Sequence, residues 1–110
     1  MWLERYARVV QTGTQQRSIP INAWASKRVR EGALGKLQYI YSNRLSLGKV
    51  RREENILWSF APHDISIILH IMEDSPVSVN CVGSSHVTRG IEDVTMMYLT
   101  FAKNRCAFIH

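Results

Sequence analysis

Residues 65–72 read Ile-Ser-Ile-Ile-Leu-His-Ile-Met, a run best accommodated by a helix buried over much of its surface. The polar exceptions around it, His63, Ser66, His70 and Glu73, recur at three- and four-residue spacing and form one narrow strip. The preceding stretch, Leu57-Trp58-Ser59-Phe60-Ala61-Pro62-His63-Asp64, turns a loop into that helix. Pro62 suits a first helical turn, where its missing N–H costs nothing. Ser59 or Ala61 is then the N-cap, Ser59 being the better capping type, and Asp64 favours the positive end of the helix dipole. The expected helix runs from about Ala61 to Met72, with His63 at its start and at the mouth of whatever it packs against.

The remainder of the chain must supply that packing. Its 110 residues suit one domain with one core, and 45% hydrophobic against 21% charged residues is an ordinary globular balance. No apolar run approaches the roughly 18 residues of a membrane span. Met1-Trp2-Leu3-Glu4-Arg5 lacks the apolar core of a signal peptide, so a soluble, cytoplasmic chain is expected. Trp2, Tyr6, Val9 and Val10 fall at helical spacing, and residues 12–20 are polar and broken, so 1–20 read as a helix and linker. Ile21 to Glu31 reads as a helix closed by Gly32, with Lys27, Arg28 and Arg30 in its last turns.

Strands follow. In Lys36–Leu45 one face carries Leu37, Tyr39, Tyr41, Asn43 and Leu45, the other Gln38, Ile40, Ser42 and Arg44. Leu47 to Asn55 is a loop, basic and then acidic. Val77, Val79 and Cys81 alternate with Ser78 and Asn80, as in a half-buried strand. Asp93 to Ala102 is apolar on both faces, so both are expected to be covered. Lys103-Asn104 predicts a tight hairpin turn into a strand from Arg105 to His110. Cys81 and Cys106 read as small buried hydrophobes. The order predicts an α+β fold, a mostly antiparallel sheet with helices on one face.

Chemistry is sparse at this level. The six glycines never form GxGxxG or GxxxxGK[ST], so no nucleotide-binding motif is expected. His63 and His70 lie about 10 Å apart along a helix, too far to grip one metal ion. His63 is either a helix-start histidine satisfied by a backbone carbonyl or a group with a chemical task. A net charge of +5 admits an anionic partner. Tyr39 and Tyr41 with Lys49, Arg51 and Arg52 could bind nucleic acid. Two tyrosines packed under helices and a solvated basic loop are the commoner arrangement, and the RNP1 pattern is missing. Nucleic acid is therefore the disfavoured alternative, alongside a non-catalytic assembly remnant.

One resemblance adds to this reading. Glu31-Gly32-Ala33-Leu34-Gly35-Lys36-Leu37-Gln38-Tyr39-Ile40, then Ser42-Asn43-Arg44-Leu45, then Glu54 to Ser66 with its Trp-x-x-x-Pro-His-Asp, resembles the C-terminal domain of the Gfo/Idh/MocA oxidoreductases. The form is most similar to the nucleotide-sugar 3-dehydrogenase branch, and it extends over about 21–110. The resemblance implies an open-faced sheet carrying substrate residues, the partial second half of a two-domain enzyme whose Rossmann half binds NAD or NADP. It implies a sugar or nucleotide-sugar substrate, His63 as the active-site histidine, and Asn43, Arg44, Lys49 and Trp58 bordering the substrate. A homo-oligomer formed through the sheet, with no membrane partner, is also implied. Many relatives carry an acid four residues before the histidine, where this chain has Ser59. With no Rossmann half in this sequence, the chain alone is expected to bind no cofactor and to be inactive.

Overall fold

The computed structural model describes residues 19–45 and 52–110. The expected helix at 2–11 and Lys49, Arg51 and most of the linker lie outside them. Helix α1 is Pro20–Arg30, β1 Tyr39–Ser42, α2 Ile56–Met72, β2 Ser78–Ser84, β3 Val94–Phe101 and β4 Arg105–Ile109. The four strands form one mixed sheet in the order β1-β4-β3-β2. β3 runs antiparallel to both neighbours, and β1 lies parallel to β4, Tyr39 opposite Cys106 and Ser42 opposite Ile109. This is the α+β, mostly antiparallel open-faced arrangement.

Helix α2 lies over the sheet because of one stripe. Ala61, Asp64, Ile68 and Met72 are buried at three- and four-residue spacing. They meet Met97, Leu99, Phe101, Ala107 and Ile109 from alternate positions of β3 and β4, with Leu37, Ile40, Leu57 and Ile65 at the margin. α1 packs against α2. Its end is as read: Gly32 sits at φ 84° just past the last turn, a conformation that glycine adopts without strain. The hairpin into β4 is also as read, Lys103 and Asn104 both being left-handed. Arg105 donates to the Met72 carbonyl at 3.0 Å and to Asp74 at 2.7 Å, tying the end of α2 to β4.

The start of α2 departs from expectation. It begins at Ile56, with Asn55 as N-cap accepting the Trp58 N–H at 3.1 Å; neither Ser59 nor Ala61 caps it. Pro62 is inside the helix. A proline there removes the bond to the carbonyl four residues back, that of Trp58. Both residues are exposed, so water can serve that carbonyl. His63 therefore lies two turns into α2, away from its N-terminus.

The second departure is the sheet. Strand pairing puts Val94, Met96 and Tyr98 of β3, Val82 of β2, Phe108 of β4 and Tyr39 and Tyr41 of β1 on the face away from α2. All are exposed, so β3 is covered on one face only, and the two tyrosines do not lie under helices. Cys81 is likewise exposed and Cys106 only half-buried. Apolar patterning cannot choose between two apolar faces; the helix covers the one bearing Leu99 and Ala107.

Candidate active site

Helix α2 separates two groups of polar residues by 3.6-residue geometry. Asp64 falls in the buried stripe, its side chain only 6% exposed. It accepts from Ser42 Oγ at 2.9 Å, Arg44 Nε at 2.9 Å and Arg44 Nη2 at 3.1 Å. The two-pronged fork matches guanidinium to carboxylate. The Arg44 guanidinium also lies 5.9 Å from the centre of the Phe60 ring, within cation–π range. Arg44, Leu57, Phe60, Asp64, Asp93 and His110 help line a cavity of about 60 Å³ at this end of the sheet.

His63, with Ser66 and His70, occupies the side of α2 away from the sheet. Its imidazole is half-buried and has no hydrogen-bond partner among the described residues. One turn earlier, Ser59 Oγ donates to Glu54 Oε1 at 3.0 Å, so the position one turn before the histidine carries a hydroxyl held by a carboxylate. Trp58 is 73% exposed, and Asn43 is exposed just beyond β1.

Arg44 is thus brought to Asp64, while His63, Trp58 and Asn43 are not among the described residues that line this cavity. The residue missed by sequence reasoning is Asp64, taken there for a helix-dipole carboxylate. Its signal was available: it sits three residues after Ala61 and four before Ile68, in the apolar stripe, where a charge needs a partner.

A second polar cluster shapes the 84–94 loop. Asp93 Oδ2 accepts the backbone N–H groups of His86 at 2.8 Å and Val87 at 2.7 Å, and Oδ1 lies 2.8 Å from His86 Nδ1. The imidazole bond, with help from the two backbone donors, lowers the Asp93 pKa from 3.8 to about 2. A carboxyl with a lowered folded pKa stabilises the fold above its unfolded value and loses that contribution as pH falls through the folded one. Between about pH 4 and pH 2 the wild-type chain should lose unfolding free energy faster than Asp93→Asn, measured as denaturation midpoint against pH. Parallel curves would show that the clamp contributes nothing. Among the described residues, no group of three or more His, Cys, Asp or Glu side chains could hold a metal ion, and no helix is long and apolar enough to cross a membrane.

A one-sided mixed sheet covered by a long helix is an α+β open-faced fold, the class to which the C-terminal domains of Gfo/Idh/MocA enzymes belong. The chain belongs to the GFO/IDH/MocA C-terminal domain family, whose model matches residues 23–110. No curated protein sequence matches it. Among solved structures it is similar to the aldose-aldose oxidoreductase of Caulobacter crescentus, with TM-score 0.80 and 21% identity over 96% of this chain and 36% of that one. It is similar to the UDP-N-acetylglucosamine 3-dehydrogenase GnnA of Acidithiobacillus ferrooxidans, with TM-score 0.72 and 23% identity over 97% of this chain and 33% of that one. A super-repressor mutant of Gal80p from Saccharomyces cerevisiae shares the fold too, with TM-score 0.72 and 15% identity over 98% of this chain and 36% of that one. The chain spans about a third of the length of these structures. Likeness at these identities shows the fold, and the range of proteins that carry it means that activity must be argued from residues.

Proposed function

We propose that the chain is the substrate-side half of an NAD(P)-dependent oxidoreductase acting on a sugar or nucleotide-sugar hydroxyl. The observation that carries this reading, within the family, is His63. It is a half-buried imidazole without a partner among the described residues, on the face of the core helix that the sheet does not occupy. In this role His63 takes the proton from the sugar hydroxyl as the carbinol is oxidised, or returns it in the reverse direction. Arg44 spends Nε and Nη2 on Asp64, which leaves Nη1 as a donor toward the substrate. Trp58, exposed one helical turn and a half before His63, offers an apolar wall for a sugar ring, and Asn43 borders it; Lys49 is assigned to the substrate by the family resemblance alone.

The dinucleotide finds no seat among the described residues. The sequence has no glycine-rich phosphate motif of the kind that holds a dinucleotide at a strand-to-helix turn. The hydride acceptor would be held by a separate Rossmann unit, and the chain by itself is inactive. The open sheet face supports association of copies through it. Val82, Val94, Met96, Tyr98, Phe108, Tyr39 and Tyr41 are all exposed there, and neither Lys nor Arg is among the strand residues of that face. A surface without cations suits an apolar partner and gives nucleic-acid phosphates nothing to bind.

The test is His63→Asn, assayed on aldose and nucleotide-sugar substrates with a dinucleotide-binding half present. Turnover should fall by about a hundredfold or more while cofactor affinity is unchanged. Unchanged turnover would return His63 to a structural role.

A further inference from the structure

We propose that Glu92 is a positioning residue for the substrate side of this domain: through Asn55 it fixes the first turn of α2 and the attitude of Trp58. Its role follows from the reading of Trp58 as a wall for the sugar ring. Trp58 depends on its surroundings more than a helical residue ordinarily does. Its N–H is one of the first-turn donors that a helix leaves unpaired, and Asn55 Oδ1 takes it at 3.1 Å. Its carbonyl would accept from residue 62, which is proline and has no N–H to give. A side chain 73% open to solvent thus stands on a backbone whose N–H is held by one amide side chain.

Glu92 decides which way that amide faces. Its Oε2 accepts from Asn55 Nδ2 at 3.2 Å. A carboxylate only accepts, so it takes the NH₂ end of the amide and leaves Oδ1 for Trp58. The Glu92 backbone holds the same turn, its carbonyl accepting the Ile56 N–H at 3.0 Å. Both bonds reach α2 from the β2–β3 connection, where Asp93 fixes the loop by accepting the His86 and Val87 N–H groups. The Glu92 side chain gets there by passing over Gly83. A Cβ at residue 83 would stand 2.7 Å from Glu92 Cγ and 3.2 Å from Glu92 Cβ, so glycine is what leaves that path open. Gly83 sits inside β2, opposite Thr95, and is not one of the glycines with positive φ. The close approach of Glu92, rather than an unusual backbone conformation, accounts for it. His63, beyond Pro62 and two turns into the helix, lies outside the reach of these bonds.

Two readouts test this. In the chain itself, Glu92→Ala should speed hydrogen exchange of the Trp58 amide by about fivefold or more, with amides of residues 64–72 unchanged. Glu92→Gln, which keeps an oxygen for Asn55 Nδ2, should leave that amide slow. Gly83→Ala, which keeps the carboxylate but blocks its path, should reproduce the loss. With a dinucleotide-binding half present, Glu92→Ala and Gly83→Ala should raise KM for the sugar by about fivefold or more and leave kcat within about twofold, because a wall binds ground and transition states alike. Glu92→Gln should restore KM. A Trp58 amide as slow as wild type in Glu92→Ala or in Gly83→Ala, or a loss that Glu92→Gln shares, would overturn the assignment. So would a fast amide with unchanged KM. A wild-type assembly without turnover would sink the functional reading alone, and the amide comparison would still decide whether Glu92 holds Trp58.

Discussion

Arg44→Met should destabilise the chain by about 3 kcal/mol, because it strands Asp64 in the core. Removing one member of a buried ion pair costs about 3–5 kcal/mol, and the lower end applies because Arg44 itself is 38% exposed. Ser42 Oγ alone cannot solvate a carboxylate whose side chain is 6% exposed. The companion experiment is Arg44→Met with Asp64→Leu, which removes both charges and returns most of the loss. Urea unfolding reads both. A single variant within about 1 kcal/mol of wild type would mean that water reaches Asp64 and that the pair is an ordinary surface bridge.

Ile68→Ala should cost about 3–4 kcal/mol, since it opens a cavity at a large side chain that is 1% exposed. For a domain of this size that is a fall in melting temperature of about 15 °C. The adjacent Leu69 is 36% exposed and belongs to the outer flank of α2, so Leu69→Ala should cost less than about 1 kcal/mol. Thermal unfolding of the two variants side by side tests the orientation of the whole helix. Equal losses would show that α2 is rotated from the position described above.

These two contrasts mark what the sequence could and could not say. The strand at β1, the glycine stop after α1 and the turn at Lys103-Asn104 were legible, because each is a local rule with one dominant physical cause. The start of α2 was misread because Pro62 suggested a first turn, whereas Asn55, the residue that caps the helix, lies seven positions earlier. A helix tolerates a proline where the orphaned carbonyl faces water, and exposure is not written in a local pattern. The covered face of β3 was ambiguous because both faces are apolar. For the candidate site, the segments bearing His63 and Arg44 were identifiable by resemblance. The bond between Arg44 and Asp64 depends on how β1 lies under α2, a tertiary fact with no local signature.

The place of β4 in the sheet has a consequence for how the chain acquires its shape. It follows the other three described strands in sequence yet is an inner one in space, hydrogen-bonded to β1 on one edge and to β3 on the other. Among the described strands β1 pairs with β4 alone, so until residues 105–109 are in place no described strand pairing joins the β2–β3 hairpin to β1. The β1–β4 pairing joins residues 39 and 106, a long loop to close, so it belongs to the slow, late end of assembly. During synthesis the earlier segments must wait, with the apolar faces of α2 and β3 incompletely covered, for one short strand that unites them. Because Ala107 and Ile109 of that strand are buried in the core, interference with it costs the folded chain its stability as well.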